Sequence, residues 1–165
     1  SLIQESIKPT IKASFIGYIL EAYQQKGFDH TPLLNSIGLP AIDKMALTRI
    51  SVIQFSNVTQ AIQNALDDEM LGYLERPVPP GSFEAICSSM YMLPTLGSAI
   101  QLLDNFYRIF NCGISLFHID SDTNGSQLCL TPHSELQASS PYFTQRLLLT
   151  CYKVLCCLSK TTITL

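Results

Sequence analysis

The residues best able to do nucleophilic or metal chemistry in this chain are three histidines, His30, His118 and His133, and six cysteines, Cys87, Cys112, Cys129, Cys151, Cys156 and Cys157. Metal binding needs several ligands that converge. Here no two histidines stand four residues apart on one helical face, none belongs to a histidine–carboxylate motif, and no Cys-x-x-Cys spacing occurs. No metal site is therefore assigned. A serine hydrolase would show a Gly-x-Ser-x-Gly elbow, and a nucleotide binder a Gly-x-Gly-x-x-Gly or Walker-type loop; neither is present, and no cofactor is assigned. The adjacent acids Asp67, Asp68 and Glu69 in "LDDEML" read as turn or capping carboxylates, a role that suits such residues at helix ends. Cys112 or Cys129 acting with His118 is the remaining enzymatic alternative, but no spacing specifies a geometry for it.

Binding without chemistry offers more. Tyr91, Phe106, Tyr107 and Phe110 recur at helical spacing, which makes them core residues that can also form the wall of a pocket. Leu116 and His118 follow on a segment with strand periodicity, where His118 could reach the hydrogen-bonding end of a ligand, face solvent, or bond cross-strand to Thr131. These six are the ligand-binding candidates; no catalytic residue is assigned.

The elements that position them follow from periodicity and capping. Apolar residues at helical spacing predict a first helix over Ile11–Gln25, stopped by Gly27. Thr31, next to Pro32, is placed to cap a short helix ending at Gly38. Ser51 and Gln54 have capping-box spacing for a third helix running to about Asp67. Residues 67–82 are irregular, with Gly72 at a tight turn and Pro77, Pro79 and Pro80 barring a continuous helix. Helical character returns over Phe83–Met92 and is broken by Pro94. In "MLPTLGSAIQLLDNFYRIF", Thr95 caps a helix with Leu96, Ala99, Ile100, Leu103, Phe106, Tyr107 and Phe110 on one side and Gln101, Asp104, Asn105 and Arg108 on the other, stopped by Gly113. The period then changes to two. "ISLFHI" and "SQLCLT" flank Asn124–Gly125, predicting a hairpin with Thr123 opposite Ser126 and Ile119 opposite Leu130. Phe117, Ile119, Leu128 and Leu130 would share one face, and Leu116, His118 and Cys129 the other. Such a sheet would be covered on one face and meet a cavity or partner on the other. Ser140 and Pro141 open a last helix that is apolar around nearly its whole circumference from Phe143 to Leu158, and "KTTITL" reads as a terminal strand. The sum is an α+β fold: a helix-rich domain, N-terminal helices packed on a small antiparallel sheet, and a buried C-terminal helix.

At 165 residues one domain spanning 1–165 is expected. Charged residues make up 14% of the chain, well below the roughly 25% of an average soluble domain, so much of the surface is uncharged and suited to self-association. A net charge of -3 provides no basic field for a phosphate backbone, which excludes nucleic-acid binding by this chain alone. No apolar run reaches the ~18 residues of a membrane span. The cysteines read as free, buried thiols of a cytoplasmic protein.

Three stretches taken together, "LLNSIGLP", "LDDEMLGYLERPVPPGSFEAICSSM" and "LPTLGSAIQLLDNFYRIF", resemble the N-terminal, arabinose-binding-like sensor half of AraC-type bacterial transcription regulators. The shared pattern is an acid followed by Leu-Gly and an aromatic (Asp68, Leu71, Gly72, Tyr73), a Gly-Ser-Phe step (Gly81 to Phe83), then Thr95, Leu96, Ala99, Ile100, Tyr107 and Arg108. Ser98 stands where the family pattern has glutamate. The resemblance implies a small-molecule effector, a non-enzymatic regulatory role, and DNA contact only through a C-terminal domain of two helix-turn-helix motifs that lies outside this chain; the sensor half itself would continue past Leu165. It does not imply a sugar ligand, since no sugar-contacting residues match. The expected function is thus effector sensing with a largely apolar ligand, possession of a homodimer surface being compatible with it. The alternative is a ligand-free dimerisation or protein-interaction module.

Overall fold

The computed structural model describes residues 8–45 and 48–160. The expected terminal strand in "KTTITL" falls outside the described residues apart from Lys160. The chain divides into two compact units, Ser1–Tyr73 and Leu74–Leu165. Seven α-helices and two antiparallel two-stranded sheets among the described residues give an α+β architecture.

In the first unit, strand β1 (Ile11–Lys12) pairs with β2 (Arg49–Ile50), and Arg49 adds a guanidinium bond to the Thr10 carbonyl at 2.6 Å. This pairing takes residues 11 and 12 out of the expected first helix, so α1 spans Phe15–Gln25. Its end is a Schellman turn: Phe28 N–H reaches the Tyr23 carbonyl, Gly27 N–H reaches that of Gln24, Gly27 has φ +85°, and the Tyr23 and Phe28 rings stack at 5.0 Å. Helix α2 (Thr31–Ser36) starts one residue before the position expected from its threonine. Thr31 is inside the helix, and Asp29 takes its N–H at 2.8 Å, a bond that holds the Asp29 carboxyl below its ordinary pKa. Helix α3 (Val52–Leu66) has the complete capping box, with Ser51 and Gln54 each accepting the other's backbone N–H. Helix α1 packs on α3, as does α2, around Ile16, Ile19, Leu20, Leu34, Val58 and Ile62.

The irregular stretch after α3 is ordered by a buried acid. Asp68, 2% exposed, accepts the N–H of Met70 at 2.9 Å and of Gly72 at 2.7 Å. Gly72 has φ +85°, and a Cβ there would stand 2.8 Å from Lys26 Cε and 3.3 Å from Ala22 Cβ. Tyr73 then donates its hydroxyl to the Tyr18 carbonyl. The glycine thus answers to both a left-handed backbone and a close approach to α1.

In the second unit, α4 spans Ser82–Met90 and α5 Leu96–Phe110, the latter capped by Thr95, whose hydroxyl accepts Ser98 N–H at 3.0 Å. Strands β3 (Phe117–Asp122) and β4 (Gly125–Leu130) form the hairpin, α6 spans Glu135–Ser139, and α7 spans Pro141–Ser159. Helix α5 packs against α4, α7 and the start of β3. Helix α7 buries a stripe of Phe143, Leu147 and Cys151, while Leu148 and Leu149 stay exposed.

The hairpin register differs from the expected one. Asp122 faces Gly125, Ile119 faces Leu128 and Phe117 faces Leu130, so Thr123 and Asn124 form the turn. The cause is local: the Asp122 carboxylate accepts the N–H groups of Asn124 and Gly125, and Asn124 does not take the positive φ that an Asn-Gly turn of the primed type demands. A displacement of two residues keeps each side chain on its expected face. Coverage is less than expected, however. Phe117 is buried, Leu128 to Leu130 are half-buried, and the remainder of the hairpin is exposed.

Candidate functional site

The root of the hairpin is held by a carboxylate that periodicity places on the solvent side of α5. Asp104 is 4% exposed; its Oδ1 accepts the N–H of Leu116 at 3.0 Å and of Phe117 at 2.9 Å, and its Oδ2 accepts the Ser115 hydroxyl at 2.8 Å. The polar face expected for α5 is therefore corrected at this position: the acid is turned inward because three donors of the following loop meet it there. Gln101 and Asn105, by contrast, bond to one another on the exposed side. Among the described residues no buried side-chain polar atom is left without a partner.

Above this root lies the aromatic cluster. Phe106 meets Tyr107 edge-on at 5.1 Å and Phe110 at 5.4 Å, and Tyr107 meets Phe117 at 5.9 Å. Phe106, Tyr107 and Leu116 are buried and Phe110 is half-buried, so four of the six candidates share one region of core. Tyr91 is 67% exposed and contributes elsewhere. With Cys87 and Met90 from α4 it faces Lys153, Val154 and Cys157 from α7 across a cleft of about 160 Å³. Its walls are apolar except for two thiols, the tyrosine hydroxyl and the Lys153 ammonium.

His118 belongs to neither group. It is exposed on β3, opposite Cys129 and not Thr131, with Nε2 3.5 Å from Asp120 Oδ2. Cys129 donates its thiol to the same oxygen at 3.6 Å. Desolvation, with the hydrogen bond and charge of Asp120 adding to it, raises the Cys129 pKa, the opposite of what a thiolate nucleophile requires. Burial pushes the Cys151 thiol up to about 12, so it stays protonated. All six cysteines are free, but only Cys151 is buried; the expectation of buried thiols fails for Cys112 and Cys157, which are exposed, Cys112 just past the end of α5 and Cys157 on the open wall of the Tyr91 cleft.

A second concavity, about 530 Å³ and open, is lined by Arg76, Asn105, Arg108, Ile109 and Cys112. Arg76 N–H bonds the Phe110 carbonyl at 2.9 Å, which ties the proline-rich loop to the end of α5 and brings the two guanidiniums to one groove. Sequence reasoning missed this pairing because Arg76 lies in an aperiodic stretch; the excess carbonyls of a helix C-terminus beside an arginine-bearing loop were its only signal.

A family model for the arabinose-binding domain of AraC transcription regulators, N-terminal part, matches residues 27–165. Comparison with curated proteins and with solved structures found no match. No helix among the described residues is long and apolar enough to cross a membrane. The order of loop, capped α5 and hairpin described above falls within the matched span, and the chain belongs to the family of N-terminal arabinose-binding domains of AraC transcription regulators, a family of ligand-sensing regulatory domains.

Proposed function

We propose that this chain senses a small, largely apolar effector in the cytoplasm of a bacterium, catalyses nothing, and controls DNA binding by an attached C-terminal domain. The family match runs through both compact units, which supports reading 1–165 as one regulatory domain. The observation that carries the ligand class is the Tyr91 cleft, where Met90, Val154 and Leu158 offer apolar surface and Lys153 a single cation. Of the six candidates it is Tyr91 that lines this cleft, while Phe106, Tyr107 and Leu116 are committed to the core. His118 lies on the exposed hairpin and is not needed for this reading. The effector acts by binding two arrangements of the regulator unequally, which shifts how the DNA-reading part is presented.

The test is a thermal-shift and native mass spectrometry screen of the full-length regulator against metabolites, followed by DNA binding with each hit. A hit should alter DNA affinity, and Tyr91→Ala, at an exposed position, should weaken it about tenfold, the loss of roughly 1.4 kcal/mol of contact. A ligand that stabilises the fold while leaving DNA binding unchanged overturns the mechanism. The exposed apolar side chains Tyr91, Met92, Ile109 and Leu149 favour a second reading, self-association. A sedimentation mass of one chain at every concentration of the full-length protein would remove it.

A further inference from the structure

The hairpin brings together three metal-ligating groups of different kinds. The ligand atoms of His118, Asp120 and Cys129 all lie within 4.8 Å of one another. Strand geometry explains why: His118 and Cys129 are directly opposed in the register, and Asp120, two residues along β3, points to the same face. Asp120 Oδ2 is the shared vertex, 3.5 Å from His118 Nε2 and 3.6 Å from Cys129 Sγ. Those separations fit a tetrahedron. With zinc bonds of about 2.0 Å to nitrogen and oxygen and about 2.3 Å to sulfur, neighbouring ligands stand about 3.3–3.6 Å apart. Two edges of the coordination polyhedron therefore already have their length, and none of the three groups must leave its strand to complete it.

We propose that the β3–β4 hairpin binds a divalent transition-metal ion of the zinc class through His118 Nε2, Asp120 Oδ2 and Cys129 Sγ. The donor set selects the ion. Imidazole and thiolate suit zinc or cobalt, whereas magnesium and calcium take oxygen ligands and gain nothing from two of the three groups. Binding replaces the Cys129 S–H bond by a sulfur–metal bond, and the proton leaves to solvent. The carboxylate and thiolate then neutralise the dication, and the fourth position is left to water, since His118 and Asp120 are half-exposed or more. The site lies apart from the Tyr91 cleft in its lining residues and stands or falls independently of the effector reading.

Cobalt(II) titration of the reduced, full-length protein tests it. The expected result is a one-to-one complex with a thiolate-to-cobalt charge-transfer band and the visible bands of tetrahedral cobalt, both removed by equimolar zinc(II). Cys129→Ser should abolish the charge-transfer band. His118→Gln and Asp120→Asn should each weaken binding by more than the roughly tenfold lost with a supporting partner. The double variant Cys156→Ser, Cys157→Ser should bind as the parent does, and unchanged metal-free melting of every variant shows that the fold is kept. Absence of the charge-transfer band, its persistence in Cys129→Ser, or its loss only in the double variant would overturn the assignment.

Discussion

Asp104 and Asp120 both serve the β3–β4 hairpin, one at its root and one along its length, yet they do opposite things. The root acid is 4% exposed and saturated by Leu116, Phe117 and Ser115. The other has a side chain 71% exposed and faces the Cys129 thiol and the His118 imidazole. A carboxylate surrounded by backbone donors has its oxygens committed and defines geometry; one facing a cysteine and a histidine keeps lone pairs available to a cation. Asp68 in the first unit resembles the root acid, since it closes its own loop through Met70 and Gly72.

Truncation costs should therefore rank by the number of buried donors orphaned. Asp104→Ala should destabilise most, by about 3–5 kcal/mol, because two buried backbone N–H groups and the part-buried bond to the Ser115 hydroxyl lose their acceptor. Asp68→Ala should cost about 2–3 kcal/mol for two backbone donors. Asp120→Asn should change stability by no more than about 0.5 kcal/mol, as expected of an exposed site. Urea unfolding followed by circular dichroism orders the three. An Asp120 variant as damaging as the Asp104 variant would break the distinction between root and hairpin, and an Asp104 variant that unfolds like the parent would show its bonds are replaceable by water.

The features legible in the sequence are those whose partners are near in the chain. Ser51 with Gln54, Thr95 with Ser98, and the glycine stop at 27 require only a three- or four-residue window, and each appears where that window places it, whereas after α5 the left-handed turn begins at Cys112, one residue before Gly113. Thr31 differs for a reason of the same range: it lies inside the helix, and Asp29, two residues earlier, accepts its N–H. Asp104 could not be read because its donors arrive 11 to 13 residues later, from a loop whose path depends on α5 already being packed. The six candidate site residues were read from two periods, four helical and two extended, and they do not share one place. Phe106, Tyr107, Phe110 and Leu116 converge, Tyr91 is turned out by the break before Pro94, and His118 follows its strand away. Likewise the pairing of His118 with Cys129 depends on a register that the Asp122 side chain sets at the turn, a cross-strand relation that helical ligand spacing does not search.

Gly72 is squeezed between a backbone shape that other residues resist and the flank of α1, while Asp68 and Tyr73 on either side bind main-chain groups. The Gly72 loop is therefore a piece of architecture, written by steric necessity. A loop bound by such constraints can stay the same while the signal reported changes, so it specifies a frame and leaves the message open.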